Sequence, residues 1–368
     1  TPPPSEVASF ICAAVAMAMI VGCSRSTPVP ELLAGAERAL LVSDSAKVEE
    51  LVSQIPTDSP KWQAGQLMAG EAATKAGRIE AAISYYIAAV ERDEMSSDGL
   101  LAQFSVAELY LELGQLTRAE QLYRKVLQTQ PGNGLTSERM AFLLSMTGRR
   151  WAALNHYFVL IKGGEAGYRE LALAADVGRP IEQPDFLKKC REQSPDDELV
   201  RLALATYAYN EGEPEAGELL QQLVASSPHL ISAQSMLGEL LVDAPSKTAF
   251  IEWHEALLPA ANDSPDIWFV RGLWARNQSD LEAARGCFWQ SVVRTPFHRR
   301  AFHVLGQVLL ALRDPQADSV LEYARLLIGL SQSIDQVLIS KGNSEKANRE
   351  TTELLEKLGR TWEACAWA

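Results

Sequence analysis

Histidine and cysteine are the side chains best equipped for chemistry in this 368-residue chain, and it holds five of each. The histidines are His156, His229, His254, His298 and His303, and no two lie four apart, so the paired imidazoles that grip zinc from one helix face are absent. His254 and Glu255 are adjacent and point about 100° apart on a helix, a poor geometry for sharing a proton. The cysteines form no CxxC or CxxCH pair for metal or haem. Cys190 and Cys287 read as small buried apolar residues. No GxSxG, no phosphate-cradling GxxxxGK[ST] and no glycine fingerprint between strand and helix occurs. No catalytic, cofactor-binding or metal-binding residue is assigned, no cofactor is expected, and the chain reads as non-enzymatic. Two stretches carry chemistry of another kind. Cys23 directly follows the uncharged run ASFICAAVAMAMIVG, and Arg294-Thr-Pro-Phe-His298-Arg299-Arg300 gathers cations whose guanidinium forks suit carboxylates.

The elements that must position such residues are set by a repeating ladder. Gly77, Ala82 and Tyr86 are followed by Gly114, Ala119 and Tyr123, then by Gly148, Ala153 and Tyr157. The offsets are five and four within each set, and the sets are 37 and 34 residues apart. Ser279, Ala284 and Phe288 repeat the spacing, and Pro296 follows its alanine at the same interval as Pro131 follows Ala119. A period in this range marks stacked repeats. Each unit reads as two helices: the glycine ends the first, and Leu116, Ala119, Tyr123 and Val126 form the inner stripe of a second. The alanine is small where the helices cross, the aromatic fills the gap one turn on, and the proline ends the unit.

These residues resemble the tetratricopeptide repeat (TPR) family. Ala107, Gly114, Ala119, Tyr123 and Pro131 match its pattern in one copy. Trp268 and Gly272 extend the match in the copy ending at Pro296, and Gly70 does so in the copy carrying Gly77, Ala82 and Tyr86. Weaker units are read at 165–195 around Gly178, at 196–228, at 229–262 with Gly238 and Trp253, and at 299–331 with Phe302 and Gly306. The resemblance implies an all-α, right-handed superhelical solenoid of about eight helix-turn-helix units spanning residues 31–331. Residues 332–348 read as a polar, linker-like segment. Residues 349–368 read as a partial terminal hairpin, with Gly359 and Ala364 at the ladder offset; its Trp362 and Trp367 need either further chain or a docking surface.

At the front, fifteen uncharged residues span about 22 Å as a helix, short of the roughly 30 Å membrane core, so a signal-peptide core fits better than a spanning helix. Ile20-Val21-Gly22-Cys23 resembles the lipobox of bacterial lipoproteins, which implies residues 1–22 as signal peptide, Cys23 as the lipidated residue and 23–30 as a tether. An ordinary signal peptide or membrane anchor is the other reading. The implied location is the bacterial cell envelope, on its periplasmic or extracellular face, with a lipid anchor holding the protein to the membrane.

Acidic residues outnumber basic ones by 47 to 34, a net charge of −13, so no nucleic-acid partner is expected. The function expected is to hold a protein or peptide partner in the TPR groove. The groove candidates are Tyr209, Arg276, Asn277, Arg300, His303 and Gln307, where cations and amides collect late in an otherwise acidic chain. Leu67 and Glu71 stand where the family's carboxylate clamp would need other residues. The rival reading is an accessory region of a larger envelope enzyme or redox protein. Ala119→Trp or Ala284→Trp should destabilise by more than the about 1–3 kcal/mol typical of overpacking, read as a lowered midpoint of thermal unfolding. An unchanged midpoint in both would mean that neither alanine lies at a helix crossing.

Overall fold

The computed structural model describes residues 27–181 and 183–367, all in helices, turns and loops. The signal-peptide, tether and lipidation readings at residues 1–26, Cys23 included, lie outside the described residues. Two compact units are present, one up to Ala102 and one from Gln103 onward.

In the first unit, α1 (Val29–Leu41) and α2 (Ser45–Val52) form one hairpin, and α3 (Trp62–Lys75) and α4 (Ile79–Arg92) form the next. Leu32, Ala36, Val48, Val52, Ala69 and Ala72 make a shared apolar core. Buried Gln63 ties the start of α3 to the end of α4, its amide donating to the Ala89 and Asp93 carbonyls at 2.7 and 2.9 Å.

The remaining helices are α5 (Ser97–Glu112), α6 (Leu116–Thr129), α7 (Gly134–Met146), α8 (Arg150–Gly163), α9 (Tyr168–Ala175) and α10 (Pro184–Gln193). Then come α11 (Glu198–Glu211), α12 (Ala216–Ser226), α13 (Ile231–Val242) and α14 (Lys247–Glu255). A 3₁₀ turn at Pro259–Asp263 leads into α15 (Pro265–Asn277), α16 (Leu281–Arg294) and α17 (Arg299–Ala311). The last three are α18 (Ala317–Ile339), α19 (Glu345–Lys357) and α20 (Thr361–Trp367).

The ladder does what its residue types require. Ala82, Ala119, Ala153 and Ala284 are fully buried, and Tyr123 and Phe288 are the largest fully buried side chains. A methyl group on Gly272 would lie 2.5 Å from the Phe288 ring, and one on Gly238 would lie 2.2 Å from Trp253. In these hairpins the first helix is therefore thinned where the aromatic of the second presses against it. Side-chain caps start some of the helices: Asn133 accepts from Thr136 N–H at 2.9 Å, and Asp280 from Ala283 N–H at 3.0 Å.

In the second unit the hairpins do not simply follow one another. Helix starts and turns from α6 to the end of α9 are met, in order, by much later segments. Asp197 caps its own helix, accepting from Leu199 and Val200 N–H at 3.0 and 3.1 Å, and also accepts from Thr117 N–H at 3.1 Å. One carboxylate thus caps α11 and α6, eighty residues apart. Ser232 donates to the Thr147 carbonyl at 3.3 Å, Arg150 and Trp151 reach Asp266, and Arg179 pairs with Asp335 at 2.7 Å.

The expected hairpin at 165–195 is opened by this arrangement: α9 packs on α8 and α18, while α10 packs on α11. The segment 332–348, expected as a linker, instead supplies the end of the 23-residue α18, with Ile334 and Val337 fully buried. Its polar residues had masked two well-spaced apolar ones.

The terminal hairpin docks within the chain. Arg360, 5% exposed, donates to the last carbonyls of α9, Ala174 and Ala175, both at 2.9 Å, and pairs with buried Glu363. Trp362 meets Phe158 edge-on at 4.7 Å.

Gly114 and Gly212 separate two demands on a turn glycine. Both have φ of +68°, but a Cβ on Gly114 would sit 2.9 Å from the Cys190 backbone, whereas one on Gly212 would meet open space. Gly212→Ala should cost about 1–2 kcal/mol for left-handed strain alone, and Gly114→Ala clearly more. Equal losses in urea unfolding would show that the close approach to α10 contributes nothing.

Candidate interaction surface

The first turn of α15 is fixed by Ser264, whose hydroxyl accepts from Ile267 N–H, and by Pro265 at the first helical position. That places Asp266 inside the fold, 15% exposed. It accepts from Arg150 Nη2 at 2.6 Å and Trp151 Nε1 at 2.7 Å. His298 Nε2 lies 3.3 Å from the same carboxylate, close enough for electrostatic attraction but off the line of a hydrogen bond. The other ring nitrogen, Nδ1, accepts from Ala301 N–H at 3.3 Å and caps α17, which puts the proton of neutral His298 on Nε2. The imidazole packs against Phe269 and Trp151 at 4.8 and 5.4 Å.

Burial works against both charged forms here. For Asp266 the Arg150 guanidinium and His298 overcome it and hold the carboxyl well below its usual range. For His298 burial dominates, and the nearby cations Arg150 and Arg300 add to it, so its pKa is lowered despite Asp266.

Beside this cluster is a polar cavity of about 70 Å³, lined among others by Arg150, Tyr209, Glu239, Asp266 and Arg300. Arg300 makes a bidentate pair with Glu239, and its guanidinium lies over the Phe269 ring at 4.9 Å. Burial, with Glu239 adding to it, pushes the Tyr209 hydroxyl pKa up.

A larger and more open groove of about 450 Å³ lies nearby, with Phe142, Tyr157, Leu173, Ile181 and Leu338 on its walls. Arg139 and Arg169 are on its rim with Glu138 and Glu170. Arg139 is already paired with Glu108 at 3.0 Å.

The residues expected from the sequence to meet a partner are not gathered in one place. Tyr209 and Arg300 line the small cavity. Asn277 donates to Asp243 at 3.3 Å at the end of α15, and Arg276 beside it makes no side-chain hydrogen bond or ion pair among the described residues. His303 and Gln307 bond each other at 3.0 Å on the exposed face of α17. Asp266, Arg150, Trp151 and Asp197 were not expected from the sequence. The Ser-Pro-Asp start of α15 signals a capped helix, but nothing local tells Asp266 that Arg150 will be its partner.

Residues 67–134 match the family model described as tetratricopeptide repeat. The chain contains tetratricopeptide repeats. No curated protein matches it. Among solved structures, it is similar to a tetratricopeptide repeat protein from Parabacteroides merdae at 15% identity, covering 76% of this chain and 98% of that one, with a TM-score of 0.30. Yeast Tom70 is similar at 13% identity over 82% of this chain and 85% of its own, with a TM-score of 0.30. The human IFIT1 dimer with m7Gppp-AAAA is similar at 11% identity over 89% and 93%, with a TM-score of 0.37. Repeats of this kind form extended surfaces that serve protein interaction.

Acid should loosen the Asp266 cluster. With its folded pKa below the ordinary 6.5, His298 refuses a proton that the unfolded chain accepts, so its stabilising contribution is full above about 6.5 and falls below it. Asp266, lowered from 3.8, loses its contribution only on further acidification. His156 and His254 are lowered by burial too and act in the same direction. His298→Asn, which keeps a helix cap without a titrating ring, should flatten the fall in melting temperature between about pH 7 and 5. A profile as steep as the wild type would remove His298 from the account.

Proposed function

We propose that this protein is a non-catalytic scaffold of the bacterial cell envelope that holds a protein or peptide partner in its repeat groove. The observation that carries this reading is the open groove of about 450 Å³, with apolar walls and a rim of both charges. An extended peptide could bury alternate side chains there and pair its polar groups at the rim. Of the residues first expected to bind the partner, Tyr209, Asn277 and Arg300 are held by internal carboxylates, which favours the groove over them. Arg276, His303 and Gln307 are not held by a carboxylate among the described residues. The lipobox-like tetrapeptide ending at Cys23 supports a lipid anchor.

Two experiments test the two halves of the proposal. Phe142→Asp with Leu173→Asp should reduce recovery of any envelope protein that co-purifies with the wild type by at least about tenfold, with helicity unchanged. Full recovery would remove the groove from the reading. Cys23→Ser, expressed with a complete leader, should lose metabolic fatty-acid labelling and leave the membrane fraction. Equal labelling would sink the anchor.

A further inference from the structure

A second surface lies around α15 and α16, independent of the groove. Asn262, in the 3₁₀ turn before α15, organises three side chains at once. Its carbonyl accepts from Trp268 Nε1 at 2.7 Å and Arg294 Nε at 3.0 Å, and its side-chain oxygen accepts from Arg271 Nη1 at 2.8 Å. Arg294 Nη1 also donates to the Gln290 carbonyl and side chain at 2.9 and 2.6 Å. Both guanidinium groups lie over the Trp268 ring, at 4.6 Å for Arg271 and 5.2 Å for Arg294.

Every one of these acceptors is neutral. Elsewhere in the same unit Arg150, Arg179, Arg285, Arg300 and Arg360 each meet a carboxylate. Arg271 and Arg294 meet none among the described residues, although the chain carries thirteen excess negative charges. They are near enough that, after burial, Arg294 contributes to lowering the Arg271 pKa. Two like charges are thus held on one aromatic ring, in place and without a counter-ion. Each keeps Nη2 uncommitted. Ordering long side chains is a main cost of binding through arginine, and here Asn262 and Trp268 have already ordered them.

We propose that Arg271, Arg294 and Trp268 form a docking point for an acidic peptide segment of a partner protein. Two neighbouring carboxylates would meet the two free guanidinium edges, a planar match that arginine makes better than lysine. A short acidic stretch suits the patch better than an extended anionic surface. A membrane or nucleic acid would press its charge against the whole acidic molecule, and the repulsion would outweigh two cations.

The test is fluorescence anisotropy of a fluorescein-labelled hexaglutamate peptide titrated with the full chain at low salt. Wild type should bind it, and Arg271→Gln with Arg294→Gln should weaken binding by at least about tenfold. Asn262→Ala should fall between the two, and added salt should weaken the wild type. Should the double variant not fold, the exposed Arg294→Gln alone carries the test. Unchanged affinity in the folded arginine variant overturns the proposal. So does absence of peptide binding, whether or not inorganic phosphate or phosphatidylglycerol vesicles bind instead. The Phe142→Asp, Leu173→Asp variant should bind the peptide as wild type does. If it loses the peptide while the arginine variant keeps it, the acidic segment belongs to the groove and this inference is wrong.

Discussion

The second unit depends on hairpin turns meeting distant helix starts. A helix start presents unsatisfied N–H groups and the positive end of a dipole, and a turn brings its own strained backbone. Placing Asp197 between two such starts satisfies donors on α6 and α11 together. The approach works only because Gly114 offers no side chain where the Cys190 backbone passes. A larger residue there would hold the two segments apart and leave Asp197 able to cap only one helix.

Asp266 repeats the arrangement more deeply, with Arg150 and Trp151 arriving from the first turn of α8. A buried ion pair is poor evidence of net stability, because desolvation offsets much of its attraction. Its value here is directional. Removing one partner would leave an uncompensated charge inside, at a typical cost of about 3–5 kcal/mol, so alternative registers between the segments are penalised. Arg360 does the same at the terminal hairpin, joining two α9 carbonyls to Glu363.

These internal pairings decide what remains for a partner. Several cations that look available in sequence are spent inside the fold: Arg139 on Glu108, Arg179 on Asp335 and Arg300 on Glu239. Among what stays open are an amphipathic groove and the Arg271–Trp268–Arg294 patch, where neutral acceptors leave the charge unspent. A scaffold needs surfaces that are ordered before binding yet unsatisfied, and those two places meet that description for different chemistries.

The sequence by itself determined the hairpins and their cores. Gly114, Ala119 and Tyr123, and the matching residues of the other copies, act over a few residues through helix geometry and side-chain size, so their roles could be read locally. Expectations weakened where periodicity did: polar residues at 332–348 hid the buried Ile334 and Val337, and the opened unit around Gly178 has partners from α8, α11 and α18. The candidate site was less legible still. Tyr209 and Arg300 were recognised as inner-face residues, but their commitment to Glu239 was not. Which charge meets which depends on segments far apart in the chain: Arg300 and Glu239 are 61 residues apart, and Arg150 and Asp266 are 116 apart. Only the tertiary structure decided that, because electrostatic pairing is set by distance in space and leaves no periodic trace along the chain.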